Sequence, residues 1–230
     1  MSDTRNDYRV LVAEHALGLL ENVARTRSVP GVVEWRSLES LLEEARKQLM
    51  SIKYSFLPPR MLAEHESVKR LQELSKEIAK RLLPWDKIKT MSLDRKARMS
   101  IARAKYAIRI LYGLPYRLIL GDENDPLYAI DIECVRILSV AKHRGAEKLY
   151  VTRAQGVLTY TIITNIETIK KGEIRAAAIL PPIELRGEIS EAMYCSKPIN
   201  DEKCLGKRPP TDVIERGEVE KIIFEITRAK

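Results

Sequence analysis

Gly121-Asp122-Glu123-Asn124-Asp125-Pro126 separates two stretches of different periodicity. Its turn residues and carboxylates interrupt regular structure rather than continue it. On its N-terminal side apolar residues recur at three- and four-residue spacings; on its C-terminal side they fall in short β-branched runs between turns. The expected organisation is a helical domain over residues 1–120 and a strand-built domain over residues 121–230.

Three apolar stripes lie in the first part. They run through Val10, Ala13, Leu17, Leu20 and Ala24; through Leu38, Leu41, Leu42, Ala45, Leu49 and Ile52; and through Val68, Leu71, Leu74, Ile78 and Leu82. Ser37 is the expected N-cap of the second helix, with Ser40 in reserve, and Pro84 stops the third. A fourth helix is expected from Ser92 to Gly113, with Gly113 at C′. Four amphipathic helices broken by proline and glycine read as a small bundle.

Beyond Pro126, strands are expected at 128–140, 149–152, 157–164, 174–180 and 189–194, with a helical or turn segment at 165–171 after the third. That count and order fit an OB-fold barrel, and periodicity alone fits an SH3-like barrel almost as well. The tail Val219-Glu220-Lys221-Ile222-Ile223-Phe224-Glu225-Ile226 alternates like one more strand. Such a strand would close the barrel, pack on the helices or join a homodimer. The expected class is α+β: an N-terminal all-α helical bundle, a five-stranded OB-fold β-barrel and a short C-terminal extension.

Across 230 residues, 40 Lys+Arg stand against 32 Asp+Glu, a net charge of +8. The excess is local. Residues 51–120 hold 16 basic and 6 acidic side chains, whereas residues 121–230 hold 17 and 18. A concentrated basic surplus points to a polyanion more strongly than a high overall charge does. No apolar run is long enough for a membrane span, and the N-terminus has no secretory pattern. Three scattered cysteines, Cys134, Cys195 and Cys204, fit a reducing cytoplasm rather than a disulfide framework. Few Gln and Phe beside abundant Arg, Lys, Glu and Ile give a thermophile-like balance.

Three blocks narrow the second part. They are Asp131-Ile132-Glu133-Cys134-Val135-Arg136-Ile137, then Lys142-His143-Arg144-Gly145-Ala146-Glu147-Lys148-Leu149-Tyr150, then Pro182-Ile183-Glu184-Leu185-Arg186-Gly187-Glu188-Ile189-Ser190-Glu191-Ala192-Met193. In order and spacing they resemble the tRNA-binding domain family of OB folds. That family includes free-standing tRNA-binding proteins, the C-terminal module of methionyl-tRNA synthetase and the endothelial monocyte-activating polypeptide domain. The resemblance covers about residues 128–196. It implies a non-catalytic, structure-directed tRNA binder, with an aminoacyl-tRNA synthetase as a further partner. Carried onto this sequence, it implies RNA contacts from Lys148, Arg186, Ser190 and Met193. The chain departs from the pattern at Glu133, Val135, Arg144, Ile179, Glu184 and Ala192. Carboxylates at 133 and 184 replace expected cations. They motivate an alternative reading, a protein-interaction or chaperone module whose barrel has lost RNA binding.

The fourth helix adds a second candidate surface. Ile101, Ala104, Ile108 and Leu111 share one face, while Arg95, Lys96, Arg98, Arg103, Lys105 and Arg109 cover the opposite arc around Tyr106, with Arg117 shortly after. Arg98, Arg103 and Arg109 would hold phosphates there, and Tyr106 would stack on a base. No glycine-rich phosphate loop, nucleophile elbow or metal-ligand spacing occurs, so no enzyme activity, metal or cofactor is expected.

Overall fold

The computed structural model describes residues 3–31, 33–84, 88 and 90–228. The chain is α+β: N-terminal helices followed by a five-stranded antiparallel sheet. It divides into two compact units, residues 1–130 with 223–230, and residues 131–222.

The helical unit contains α1 (Tyr8–Thr26), α2 (Trp35–Lys53), α3 (Pro59–Ala63), α4 (Glu66–Leu82), α5 (Arg95–Tyr112) and α6 (Leu114–Leu118). The three expected stripes are buried in its core, except that Leu41 is only half-buried. Helix α2 begins ahead of its expected cap: Glu34 precedes Trp35, no side chain caps the end, and Ser40 Oγ donates to the Arg36 carbonyl. The fourth expected helix starts later than Ser92, at Arg95, where Asp94 accepts the Ala97 N–H.

The turn-rich stretch at 121–126 belongs to the helical unit, and the expected boundary at 120/121 falls ten residues short of the division at Ile130/Asp131. Three hydrogen bonds tie it to the start of α1. Arg9 Nη1 donates to the Gly121 carbonyl at 2.7 Å, Tyr8 N–H donates to Asn124 Oδ1 at 2.9 Å, and Asn124 Nδ2 donates to the Asn6 carbonyl at 2.9 Å. The consecutive α-helices end at Leu118, ahead of the turn, and the turn itself is packed rather than free.

The sheet unit holds β1 (Ile132–Lys142), β2 (Tyr150–Gln155), β3 (Thr159–Thr164), β4 (Ile174–Leu185) and β5 (Glu188–Tyr194), in the order β3-β2-β1-β4-β5. Strand β4 runs longer than expected, through Pro181-Pro182. The β4–β5 register shifts between Ile179 and Ile183, where the prolines have no N–H to give the ladder. The outer strands β3 and β5 approach one another and are linked by side chains. Thr161 N–H donates to Glu191 Oε2 at 2.9 Å, and Ile163 N–H donates to Ser190 Oγ at 3.0 Å. These bonds satisfy edge N–H groups that would otherwise invite another strand. Thr152 Oγ1 donates to the Ile162 carbonyl, so Tyr194 O–H is the donor in its 2.8 Å bond to Thr152.

The tail is not a strand. Residues Arg216–Arg228 form α7. Val219 and Ile223, one helical turn apart, are buried, and Arg216 pairs with Glu220 at 2.7 Å. Ile222, Phe224 and Ile226 alternate as in a strand, but Val219, Ile222, Ile223 and Ile226 keep helical spacing, and the helical stripe prevails.

Candidate nucleic-acid interface

Two turns build a polar concavity on the sheet unit. Strand β1 ends at Lys142, and the chain reverses through His143–Leu149. His143 N–H donates to the Leu149 carbonyl at 2.9 Å. The buried His143 ring joins this turn to the end of β4: Nδ1 accepts the Gly145 N–H at 3.0 Å, so Nε2 carries the proton shared with the Leu185 carbonyl at 3.1 Å. The second turn is the β4–β5 hairpin, whose two-residue loop is Arg186-Gly187. Both residues have positive φ, +48° and +94°, as a type I′ hairpin requires. Arg186 Nη1 then reaches back to the Gly145 carbonyl at 2.7 Å.

The concavity between these turns measures about 1020 Å³, and its rim carries Lys142, Arg144, Lys148 and Arg186 against a single acid, Glu147. The four cations are exposed. Backbone bonds fix the turns while the cationic heads reach solvent, an arrangement suited to phosphate oxygens. Two of the four expected sheet-unit contacts, Lys148 and Arg186, are brought together here. Sequence reasoning had assigned no contact to Lys142 or Arg144; their signal was adjacency to the same turn.

Ser190 and Met193 belong elsewhere. Ser190 is 5% exposed, accepts the Ile163 N–H and donates to the Ala192 carbonyl at 3.0 Å. Its hydroxyl is consumed inside the sheet, which corrects the expectation of an RNA contact. Met193 is half-buried, paired with Ala178 in the β4–β5 ladder, and does not line the concavity. Glu133 is not a surface charge. It is 3% exposed, and its Oε2 accepts the Val157 N–H at 3.3 Å. Gly156 is required beside it, since a Cβ there would stand 2.8 Å from Glu133 Oε1.

The basic face expected on α5 is covered in part: Arg95, Lys96 and Arg98 are exposed, and Arg103, Lys105 and Arg109 are half-buried. Helix α5 packs against both α1 and α4. Ala102, Tyr106 and Ile110, spaced by four, form a second apolar stripe opposite Ala104 and Leu111, and all five are buried. Tyr106 is 4% exposed, so the expected stacking platform is corrected: the ring is core. Arg117 is buried as well, donating from Nη2 to the Ile110 carbonyl. Arg98 is exposed, whereas Arg103 and Arg109 are half-buried. Arg103 lies in a groove of about 680 Å³ with Glu14, His15 and Asn22 of α1.

Much of the remaining basic surplus is engaged within the unit. Arg70 meets Glu44, Glu73 and Glu77, Lys53 meets Glu14 at 2.6 Å, and Lys76 sits over the Tyr112 ring. Donating hydrogen bonds to Glu44 and Glu73 raises the Arg70 guanidinium pKa above its ordinary value, and the same contact lowers that of the Glu44 carboxyl. His65 is an N-cap, accepting the Ser67 N–H at 3.2 Å. Among the described residues no group of three metal-ligating side chains occurs, and no helix is long and apolar enough to cross a membrane.

Fold and site together define a helical unit joined to a five-stranded antiparallel sheet unit with a basic concavity. The chain belongs to the family described as an alpha helical domain, whose model matches residues 1–121. No curated protein sequence matches the chain.

Proposed function

We propose that the chain is a non-catalytic RNA-binding protein directed to tRNA, whose sheet unit is an OB-fold barrel that grips the RNA backbone at the concavity between the β1–β2 and β4–β5 turns. The observation that carries this reading is the convergence of Lys142, Arg144, Lys148 and Arg186 on one rim with Glu147 as its single acid. Strand order and the side-chain ties from β5 to β3 support the barrel reading. The resemblance of residues 128–196 to tRNA-binding domains supports tRNA as the polyanion and a synthetase as the protein partner. Arg98, Arg103 and Arg109 form a separate, weaker patch on the helical unit. No reaction is assigned.

The reading as a protein-interaction or chaperone module is weakened at one of its two supports. Glu133 is buried and leaves the surface charge unchanged; only Glu184 is an exposed carboxylate in place of an expected cation.

The test is a filter-binding titration of total tRNA across a range of salt concentrations. Replacing Lys148 and Arg186 together by Glu should weaken binding and flatten the log–log salt slope by about one unit per lost phosphate contact. Retention of wild-type affinity and slope by that double variant would overturn the concavity as the site. A matching charge reversal at Arg98, Arg103 and Arg109 measures the helical contribution by the same slope.

A further inference from the structure

Cys134 on β1 and Cys204 lie together in a small buried cluster with Ile174, at 0% and 8% exposure. The backbone aligns them. The segment that follows β5 returns alongside β1, with Leu205 bridged to Cys134 in parallel register. Cys134 N–H donates to the Lys207 carbonyl at 2.9 Å, and Gly206 N–H donates to the Cys134 carbonyl at 2.9 Å. These two bonds hold Cys204, the neighbour of Leu205, against the Cys134 side chain. The Cys204 thiol donates to the Asp201 carbonyl at 2.9 Å.

Register separates the third cysteine from Cys134. Cys134 pairs with Ala176 on β4, and Cys195 N–H donates to the Ala176 carbonyl at 2.9 Å. Cys134 and Cys195 are therefore two strand spacings apart, roughly 9.5 Å between backbones. That exceeds the span a disulfide tolerates, about 7 Å between Cα atoms. Cys195 also lies outside the buried cluster that Cys134 and Cys204 share, so proximity favours that pair.

We propose that Cys134 and Cys204 are a redox-active dithiol that closes to an intramolecular disulfide when a small-molecule disulfide accepts its two electrons. The Cys204 thiolate, the less buried of the two, attacks the small disulfide. A mixed disulfide forms and one small thiol leaves. The Cys134 thiolate then attacks Cys204 Sγ, forming the Cys134–Cys204 bond and releasing the second small thiol. Two protons and two electrons leave the protein, and the small disulfide is reduced to two thiols. Burial, reinforced by the neighbouring Cys204, pushes the Cys134 thiol up to about 12, so the second step is slow near neutral pH and accelerates as pH rises.

Full-length protein is equilibrated with oxidised and reduced glutathione, denatured in an alkylating agent, digested and mapped by mass spectrometry. The expected product is one crosslinked peptide pair containing Cys134 and Cys204, with Cys195 alkylated, reversed by excess reduced glutathione. Alkylation of all three thiols across the whole range, a crosslink containing Cys195, or a stable glutathione adduct on Cys204 of the wild-type chain would each overturn the proposal. Cys134→Ser should convert the crosslink into that adduct, and Cys195→Ser should leave the crosslink intact.

Discussion

Asp7 and Arg9 form a two-point ion pair inside the helical unit: Nε donates to Oδ1 at 2.9 Å and Nη2 to Oδ2 at 2.6 Å, with Arg9 1% exposed. The third contact, from Nη1 to the Gly121 carbonyl, joins the start of α1 to the end of the helical run. Removing one member of such a pair strands the other charge away from water, at a cost of about 3–5 kcal/mol. Arg9→Ala should lower the chemical-denaturation free energy by that amount. Arg9→Lys should recover little of it, because an ammonium cannot reproduce the planar fork. An Arg9→Ala midpoint equal to wild type would show that the pair is not needed.

Ser190 separates a structural hydroxyl from a ligand contact. Ser190→Ala removes the acceptor of the Ile163 N–H on β3, a buried donor. Leaving such a group unsatisfied costs about 1–3 kcal/mol. The variant should unfold at lower denaturant, while the tRNA affinity of the folded protein stays at the wild-type value. Loss of affinity without loss of stability would return Ser190 to the proposed RNA contacts.

Ser190 and Tyr106 mark the limit of what a single sequence makes legible. The five strands were legible because β-branched runs alternate with turns, and the helical core because its stripes keep a 3.6-residue period. Lys148 and Arg186 came from the resemblance, and only the fold shows that their two turns meet at one concavity. Ser190 and Tyr106 could not be read correctly, since what they touch lies on other elements. Ser190 bonds to β3, 27 residues away, and Tyr106 is covered because α5 is packed on two sides. A helix projection assigns one inner face, and a helix held between α1 and α4 has two. The tail failed for a local reason: eight residues fit both periods, and the cue that separates them, the Arg216–Glu220 pair one turn apart, begins just before the run.

Gly113 illustrates a residue type anticipated for one reason and required for another. It was expected at C′, a position that glycine often fills in the left-handed conformation, yet its φ is −82° and its ψ −2°. What excludes a side chain is Arg117. A Cβ at Gly113 would stand 2.6 Å from Arg117 Nη1 and 3.0 Å from the Arg109 carbonyl. Arg117 is buried and bonded to the Ile110 carbonyl, so it has little room to yield. Gly113→Ala should therefore destabilise by about 1–3 kcal/mol, the usual cost of overpacking, although alanine is the better helix former. A thermal midpoint at or above wild type would mean that Arg117 swings clear.

His15 supplies a pH dependence whose sign follows from its surroundings. The ring is half-buried on α1, its Nδ1 has no hydrogen-bond partner among the described residues, and burial holds its pKa below the ordinary 6.5. The folded protein therefore binds this proton less readily than the unfolded chain. Its stability is complete above about pH 6.5 and declines as pH falls below that value, through the window down to the depressed folded pKa. His15→Leu removes the titration and the unpartnered nitrogen together. It should leave stability at pH 7 unchanged or slightly raised, and it should lose less stability than wild type between pH 7 and pH 5. Because the ring is only half-buried, the difference should stay below about 1 kcal/mol. Urea midpoints for the two proteins at both pH values measure it. Parallel losses in wild type and variant would mean that His15 titrates normally in the fold.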